Sequence, residues 1–186
     1  MRNVTAVEYL SLDGIMSDPM WTAPYLNEEI GEQQDAWLAQ SGELLLGRVT
    51  YEGMSVAWMA NTDGDGFTTR INAIPKHVVT ETLTDLTWNA VPLSGDIAEE
   101  VRALKQGEGD DLLIYGSGVL VRSLLDHGLI DHLHLIVCPV VVGEGKRLFS
   151  EGSRAALQLT NVHTTAKGVV MLSYRTEASN GANEGT

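Results

Sequence analysis

Hydrophobic and polar positions alternate along the chain in a way that predicts strands and helices in turn. Residues 4–12 alternate loosely, as in a half-buried strand, and the turn pair Asp13-Gly14 ends them. Asn27 is placed to cap a helix with a buried apolar stripe, and Gly42 can close that helix. The short apolar run 44–46, bounded by glycines, then predicts a buried strand.

The middle of the chain continues this alternation. Its predicted elements are a turn into a helix at 47–54, a polar loop at 61–66, a strand at 76–80 and a possible strand at 88–92. Asp96 is placed to cap the next helix, and Glu99 three residues later completes a capping box.

The clearest unit lies between residues 112 and 138. A strand at 112–115 leads through the turn Gly116-Ser117-Gly118 into a helix at 119–127, and a second strand follows at 133–138. A β-α-β unit of this kind predicts a parallel strand pair joined by a right-handed crossover. Residues 157–162 and 169–175 have the pattern of a closing antiparallel pair.

Together these elements predict an α/β fold in which one mixed, mainly parallel sheet has helices on both faces. We expect a single domain over residues 1–177, because a chain of 186 residues has an ordinary domain length. The polar, glycine-bearing residues 178–186 are expected to form a flexible tail.

Charge and composition narrow the classes of partner. The net charge is −13, and the 12 basic residues are scattered, so we expect neither nucleic acid nor membrane as a partner. No signal peptide and no long apolar span is evident, which favours a cytoplasmic protein. Cys138 is the only cysteine and lies in an apolar run, so we expect an inert, buried thiol.

Two glycine-bearing turns are candidates for binding phosphate. Gly116-Ser117-Gly118 precedes a helix, but Val121 stands where a dinucleotide fingerprint has its third glycine, so the signature is incomplete. A tight strand-to-helix turn explains the same residues equally well. Gly47-Arg48-Val49-Thr50 repeats the arrangement and adds a cation and a hydroxyl. Two helix N-termini at strand ends favour a dinucleotide, although Arg48 can also simply form a surface ion pair.

The candidate metal sites are weak, and we expect no metal. Asn61, Asp63 and Asp65 have the spacing of a calcium loop, but Asn72 stands where such a loop needs a glutamate. His132 and His134 share one strand face without an evident third ligand.

Asp13 follows the first strand, at the edge where open α/β sheets meet their ligands. It could contact a substrate ring, or it could only form the Asp-Gly turn. Trp21 in the following loop could flank a planar ring, although a core position is the more frequent role for tryptophan.

Three separated segments resemble the dihydrofolate reductase-like family, above all the reductase, C-terminal domain of the bifunctional riboflavin-biosynthesis deaminase-reductase and its stand-alone relatives. They are Ser11-Leu12-Asp13-Gly14, the segment 46–52 with Gly47-Arg48-Val49-Thr50, and the segment 114–145 with Gly116-Ser117-Gly118 and Gly143-Glu144-Gly145. The resemblance implies a three-layer fold with a central sheet of about eight strands. It also implies a reduced nicotinamide cofactor, NADPH with NADH possible.

By position, the resemblance implies a set of cofactor-binding residues: Gly47, Arg48, Val49, Thr50, Thr80, Glu81, Thr82, Gly116, Ser117, Gly118, Val119 and Leu120. On the substrate side it implies Asp13, Gly14, Trp21 and Leu26. Leu26 departs from the family, since a true folate reductase has a carboxylate there. Glu81 departs as well, because relatives often carry a cation near the adenosine ribose.

These residues predict an NAD(P)H-dependent oxidoreductase for a small heterocyclic substrate of pyrimidine or pterin type, similar to the riboflavin-biosynthesis reductase. The alternative is a non-catalytic nucleotide- or pterin-binding protein that keeps the cofactor cleft. No residue stands out as a proton donor. We expect a homodimer, because both faces of the strand at 133–138 need cover and the resemblance points the same way.

Overall fold

The structure is a computed structural model that describes residues 1–61, 64–149 and 152–177. Its strands are β1 (Val4–Leu10), β2 (Ser41–Gly47), β3 (Lys76–Val79), β4 (Ala90–Leu93), β5 (Asp111–Tyr115), β6 (His132–Val137), β7 (Leu157–Thr164) and β8 (Val170–Thr176). Its α-helices are α1 (Glu28–Ala39), α2 (Arg48–Ala60), α3 (Gly66–Ala73), α4 (Ile97–Gln106) and α5 (Gly118–Asp126), and a 3-10 helix spans Pro19–Tyr25.

The eight strands form one sheet in the order β4-β3-β2-β5-β1-β6-β8-β7. The first six strands of that order run parallel to one another, whereas β8 is antiparallel to β6 and β7 is antiparallel to β8. The prediction of a mixed, mainly parallel sheet of about eight strands is therefore confirmed.

Two apolar cores lie on opposite faces of this sheet. Residues of α4 and α5 pack on one face, and residues of α1, α2 and α3 pack on the other. The inner strands are buried on both faces, and Leu44, Leu45 and Leu46 of β2 have no exposed surface. A parallel sheet covered on both faces needs continuous apolar runs, so the glycine-bounded run in the sequence was a sound indication of a strand.

One strand pairing differs from the prediction. β5 and β6 are parallel but not adjacent, because β1 lies between them and pairs with both. The α5 crossover therefore passes over the central strand β1, and Leu120, Val121 and Leu124 of the helix are buried in the same core as Val4, Ala6 and Leu10.

Helix boundaries also differ in places. Gly42 does not close α1, which ends at Ala39, and Gly42 lies inside β2. Asp96 caps α4 by accepting a hydrogen bond from the Glu99 backbone N–H at 3.1 Å. The Glu99 carboxylate instead pairs with Arg102 at 2.6 Å, so only half of the predicted capping box forms.

Helix α3 and the start of β4 also differ from the prediction, and some of the predicted segments lie outside the described residues. Helix α3 was not predicted, and β4 begins at Ala90 because Trp88 and Asn89 adopt positive φ angles of 58° and 53°. Residues 178–186 and Asp63 of the calcium-like segment lie outside the described residues. Within the described ranges, no helix has both the length and the apolar character needed to cross a membrane.

Candidate functional site

The order of the strands fixes where a ligand crevice can form. The connection that follows β1 includes α1, which packs on one face of the sheet, and the connection that follows β5 is α5, which packs on the other face. Because β1 and β5 are neighbours, the connections from their carboxyl ends lead to opposite faces of the sheet, and this place is a topological switch point. Open α/β sheets bind ligands in the crevice outside the strand ends at such a point.

Two helices begin side by side at this edge. The Gly47 backbone N–H, immediately before α2, donates to Ser117 Oγ, immediately before α5, at 2.9 Å. A Cβ at residue 116 would lie 3.5 Å from the Thr50 side chain, so the Gly116 turn packs directly against the first turn of α2. The two segments that the sequence singled out are thus brought together.

The backbone of the second turn has an unusual conformation. Gly116 has a φ of 57°, and the non-glycine residue Ser117 has a φ of 64°. The left-handed conformation costs a non-glycine residue about 1 kcal/mol. Here the Ser117 hydroxyl that accepts from Gly47 holds this conformation in place.

The starts of α2 and α5 differ from those of the other α-helices. In α1, α3 and α4 a side chain of Asn27, Asp65 or Asp96 accepts a hydrogen bond from the first turn. In α2 and α5 the positions before the helix are Gly47 and Ser117, and neither supplies a side-chain cap. The first N–H groups of these two helices therefore lack the usual partner, and the positive ends of both helix dipoles meet at the crevice.

Met16 lies against the start of α5. A Cβ on residue 118 would lie 2.1 Å from Met16 Sδ, so only glycine allows the thioether to sit there. Gly145 has a similar role beside Ile15, because a Cβ on residue 145 would lie 2.7 Å from the Ile15 side chain. The two glycines thus allow the loop after β1 to pack closely on the crevice.

Arg48 forms an exposed ion pair with Glu52, one turn further along α2, at 3.0 Å. Both side chains are nearly half exposed, so the pair itself contributes little to stability. The guanidinium nevertheless lies in the first turn of the uncapped helix, within reach of an anion bound there.

Thr80, Glu81 and Thr82 follow β3 at the same edge of the sheet, since Val79 is the register partner of Gly47. Thr80 is buried, and its hydroxyl accepts hydrogen bonds from the Thr82 and Leu83 N–H groups at 3.2 and 3.1 Å. The exposed Glu81 carboxylate accepts from the Gly95 N–H at 3.3 Å.

Asp13 is committed to holding two loops together. Its carboxylate accepts from Ser11 Oγ at 2.6 Å, from the Val142 N–H at 3.1 Å and from the Gly143 N–H at 2.8 Å. The hydrogen bond from Ser11, with those from the two backbone groups, lowers the pKa of Asp13 to about 2. Gly14 follows with a φ of 78°, so this geometry supports the turn-forming interpretation of Asp13-Gly14.

The loop before α1 is fastened to the β7–β8 hairpin. Lys167 Nζ donates to the backbone carbonyls of Pro24 and Leu26 at 3.0 and 2.7 Å. The Glu29 carboxylate bonds to His163 at 2.9 Å and to the Ala166 N–H at 3.2 Å, and these hydrogen bonds, His163 first, lower the pKa of Glu29. The hydrogen-bonding capacity of the Glu29 carboxylate is therefore used by the β7–β8 hairpin.

Trp21 and Leu26 flank this loop differently. Trp21 Nε1 donates to the Ser17 carbonyl at 3.1 Å, and its ring packs partly buried against the core beneath α1. Leu26 is 45% exposed, and its side chain is apolar where the resemblance implies a substrate-binding carboxylate.

The histidines and the cysteine form no reactive cluster. His134 bonds to Ser173 Oγ at 2.9 Å and stacks on Trp37, and burial lowers its pKa to about 4. Burial raises the pKa of the Cys138 thiol to about 11, which leaves it protonated and inert. Among the described residues no three His, Cys, Asp or Glu side chains are grouped as metal ligands.

Two polar features of the structure were missed from the sequence. Tyr9, Gln34 and Tyr115 form a hydrogen-bonded cluster between β1, α1 and β5. Glu8, the neighbouring residue on β1, is 1% exposed and points into the core beneath α5. A charged residue inside a strand pattern was the available signal for Glu8, whereas the cluster joins residues 25 positions apart and left no local signal.

Comparison with known proteins identifies the class. The family model of the RibD C-terminal domain matches residues 2–171, so the chain belongs to that family. A curated relative, the uncharacterized protein YyaP of Bacillus subtilis (strain 168), is 34% identical over 105 residues, which are 56% of each chain. The chain thus matches about half the length of this curated relative.

Solved structures show the same fold. A putative riboflavin biosynthesis protein from Shewanella sp. PV-4 superposes with a TM-score of 0.74 at 20% identity, covering 95% of this chain and 99% of that one. Dihydrofolate reductase from Enterococcus faecalis, complexed with NADP(H), gives a TM-score of 0.62 at 15% identity, covering 94% and 96%. The predicted dihydrofolate reductase-like fold is confirmed.

Proposed function

We propose that the protein is an NAD(P)H-dependent reductase of a small heterocyclic substrate of pyrimidine or pterin type. The observation that carries the proposal is the pair of uncapped helix N-termini, joined through Gly47 and Ser117, at the switch point between β1 and β5. Two such termini side by side suit the two phosphates of a dinucleotide. Membership of the RibD C-terminal domain family supports the same reaction class.

The residues present fit a nicotinamide dinucleotide. The first-turn N–H groups of α2 and α5, over residues 48–50 and 118–120, would hold the bisphosphate, with Arg48 and the Thr50 hydroxyl beside it. Thr80, Glu81 and Thr82 would lie near the adenosine ribose. The reduced nicotinamide supplies a hydride when bound. The chain's own contribution is to position the two reactants and to exclude water.

We propose NADPH as the cofactor, with a preference over NADH that is weaker than in the rest of the family, so that NADH is tolerated. Glu81 would place a negative charge near the 2′-position of the ribose, where a 2′-phosphate is repelled and a 2′-hydroxyl can donate to the carboxylate. Its hydrogen bond to the Gly95 N–H gives Glu81 a fixed position in which to do so.

A protein that binds the cofactor without turnover is the alternative. Leu26 offers no substrate-binding carboxylate, and the Asp13 and Glu29 carboxylates are committed to internal hydrogen bonds. These observations favour the alternative as far as folate reduction is concerned. They leave open the reduction of heterocycles that need no carboxylate partner.

Titration with reduced nucleotide and a turnover assay distinguish the two functions. We expect NADPH to quench tryptophan fluorescence, and a panel of aminouracils and dihydropterins to include a compound that is reduced with loss of the nicotinamide absorbance. Binding without oxidation across the panel would favour the non-catalytic alternative. Failure of both nucleotides to bind at millimolar concentration would refute the cofactor proposal.

We also propose a cytoplasmic homodimer. The reasoning from β6 was wrong, because both faces of that strand are covered within one chain: Leu133 and Leu135 lie in one core, and Ile136 and Cys138 in the other. The edge strand β7 is the better interface.

β7 has eight residues, carries no lysine, arginine or acidic side chain, and exposes about half of Leu159 and Val162. The opposite edge, β4, has four residues and contains Pro92, features that protect an edge from pairing. We expect light scattering to give a dimer mass, and Val162→Lys to give a monomer. A monomeric wild type at micromolar concentration would refute this interface.

A further inference from the structure

Tyr9, Gln34 and Tyr115 form a polar cluster on the α1 face of the sheet. Gln34 Nε2, from the middle of α1, donates to Tyr9 Oη at 3.0 Å. Tyr115 Oη, from the end of β5, donates to the Gln34 backbone carbonyl at 3.0 Å. These two bonds fix the Gln34 residue and its amide relative to both strands that border the switch point.

The cluster leaves the Tyr9 O–H donor and the Gln34 Oε1 acceptor unused, together with the second N–H of the Gln34 amide. The Tyr9 hydroxyl accepts from Gln34, and its own proton has no acceptor among the described residues. Gln34 Oε1 likewise has no hydrogen-bond partner there, and it is not among the buried side-chain atoms that lack a partner, which are Arg2 Nη2 and Glu8 Oε1. A tyrosine O–H and an amide oxygen therefore lie side by side, each with an unused hydrogen-bonding function.

The position of this pair is at the crevice. Tyr9 is the second-last residue of β1, and β5 ends at Tyr115, opposite Val7, so no β5 residue pairs with Tyr9. Trp21 and Tyr25 of the preceding loop pack on the same core as Tyr9. The Tyr9 hydroxyl and the Gln34 amide thus lie where β1, α1 and the aromatic loop converge.

We propose that Tyr9 and Gln34 determine substrate specificity by binding the lactam (cyclic amide) edge of a ring. The ring N–H donates to Gln34 Oε1, and the adjacent ring carbonyl accepts from the Tyr9 hydroxyl. This inference rests on the proposed function, because it places the ring of the proposed heterocyclic substrate. A neighbouring donor and acceptor on the protein complement the neighbouring acceptor and donor of a cyclic amide.

The neutrality of the Tyr9–Gln34 pair explains why it should bind a lactam edge in preference to an amidine edge. A protonated amidine edge presents two donors, which a carboxylate satisfies with its two oxygens, but Leu26 carries no such group. The Tyr9–Gln34 pair would oppose one of the two amidine donors with a hydroxyl already in use as an acceptor. Burial, followed by the proximity of Cys138, raises the pKa of Tyr9, so the hydroxyl keeps its proton across the neutral range.

Binding of two small probes tests the assignment without requiring turnover. The probes are 5,6-diaminouracil, which has lactam edges, and 2,4-diaminopyrimidine, whose amidine edge presents two donors when the ring is protonated. Each is measured by calorimetry in the presence of saturating NADP⁺, at a pH that keeps the diaminopyrimidine protonated. We expect the wild type to favour the uracil by about tenfold or more, the scale of one unsatisfied polar group. Tyr9→Phe should lower uracil affinity about fivefold and leave NADP⁺ affinity unchanged.

Gln34→Glu supplies the sharper comparison. A carboxylate at this position gives two acceptors, so the preference should shift towards 2,4-diaminopyrimidine by about tenfold or more. Gln33→Glu, which adds the same charge one residue earlier on α1, and Tyr174→Phe, which removes a distant hydroxyl, should leave the ratio of affinities as in the wild type.

Equal binding of the two probes by the wild type would overturn the proposal, as would an unchanged ratio in Gln34→Glu or weak binding of both probes. Each of these results can occur while NADPH still binds and is oxidised with some other substrate, so the proposed function would survive them. Conversely, a lactam preference that follows Gln34 in a protein without reductase activity would support this assignment and refute the reductase.

Discussion

Glu8 should make the protein less stable as the pH rises from about 6.5 to about 8. The carboxyl lies in the core under α5, 1% exposed, and its Oε1 has no hydrogen-bond partner among the described residues. Burial raises the pKa of Glu8 from 4.5 to about 8, and the positive charge of Arg122 offsets only a fraction of that rise. At neutral pH the folded protein therefore carries Glu8 in its protonated form.

The sign follows from proton binding. Between about pH 4.5 and pH 8 the folded state holds a proton on Glu8 that the unfolded state has released, so a rise in pH favours unfolding. The stabilisation is fully present below the unfolded pKa and is lost as the pH approaches the folded one. Each pH unit within this window changes the free energy of unfolding by about 1.4 kcal/mol.

Two other groups limit the pH range in which a change in stability can be assigned to Glu8 alone. Burial lowers the pKa of His134 from 6.5 to about 4, so the unfolded state binds more protons between those values and stability there rises with pH. Burial lowers the pKa of Lys76 from 10.5 to about 8, which has the same sign between about pH 8 and pH 10.5. Between about pH 6.5 and pH 8, neither His134 nor Lys76 changes its contribution much. We therefore expect the free energy of unfolding to fall by about 1 to 2 kcal/mol through Glu8.

Urea unfolding followed by circular dichroism measures this loss directly. Glu8→Gln keeps the size of the side chain and removes its titration, so its stability should be nearly constant over the same range. Glu32→Gln, on the exposed face of α1, should keep the wild-type slope. A wild type that becomes more stable from pH 6.5 to pH 8, or a Glu8→Gln variant with an unchanged slope, would refute the reasoning.

Three further predictions concern ligands. Arg48→Ala should weaken NADPH binding by about 1.5–3 kcal/mol through loss of a charged phosphate contact, whereas Glu52→Gln, which releases Arg48 from its ion pair, should not weaken it; equal effects in fluorescence titrations would contradict the role of Arg48. Glu81→Arg should raise the affinity for NADPH relative to NADH, and unchanged dissociation constants would show that Glu81 is remote from the ribose. Dihydrofolate should be a poor substrate because Leu26 cannot bind an amidine edge, so turnover near about 10 per second would be inconsistent with this site.

The sequence predicted the elements better than their arrangement. Strands such as β2 and β5 could be located because a sheet covered on both faces demands continuous apolar residues. The placement of β1 between β5 and β6 could not be read in the same way, since strand order depends on contacts between distant residues. Helix α3 was missed because only two of its eight residues, Thr68 and Ile71, are buried, which leaves almost no periodic signal.

A similar division applies to the candidate site. The starts of α2 and α5 were predictable because a glycine at the end of a strand, followed by a helix, is a local feature of the sequence. Each of the two segments by itself predicts a helix N-terminus with unpaired N–H groups. Asp13 was ambiguous because the sequence cannot show whether the Val142 and Gly143 N–H groups reach its carboxylate. Their presence there removes Asp13 from the polar groups that are free to meet a substrate.

The selectivity of the crevice must then come from groups that remain free after folding. Asp13 and Glu29 are ionised and hydrogen-bonded internally, whereas the Tyr9 hydroxyl and the Gln34 amide are neutral and keep unused hydrogen-bonding functions, among them the Tyr9 O–H and Gln34 Oε1. A charged partner would favour an amidinium-like ring, and a neutral donor–acceptor pair favours a neutral lactam. Ionised side chains near a crevice therefore indicate binding only when their hydrogen bonds are incomplete, and here the incomplete pair formed only when α1 packed over β1.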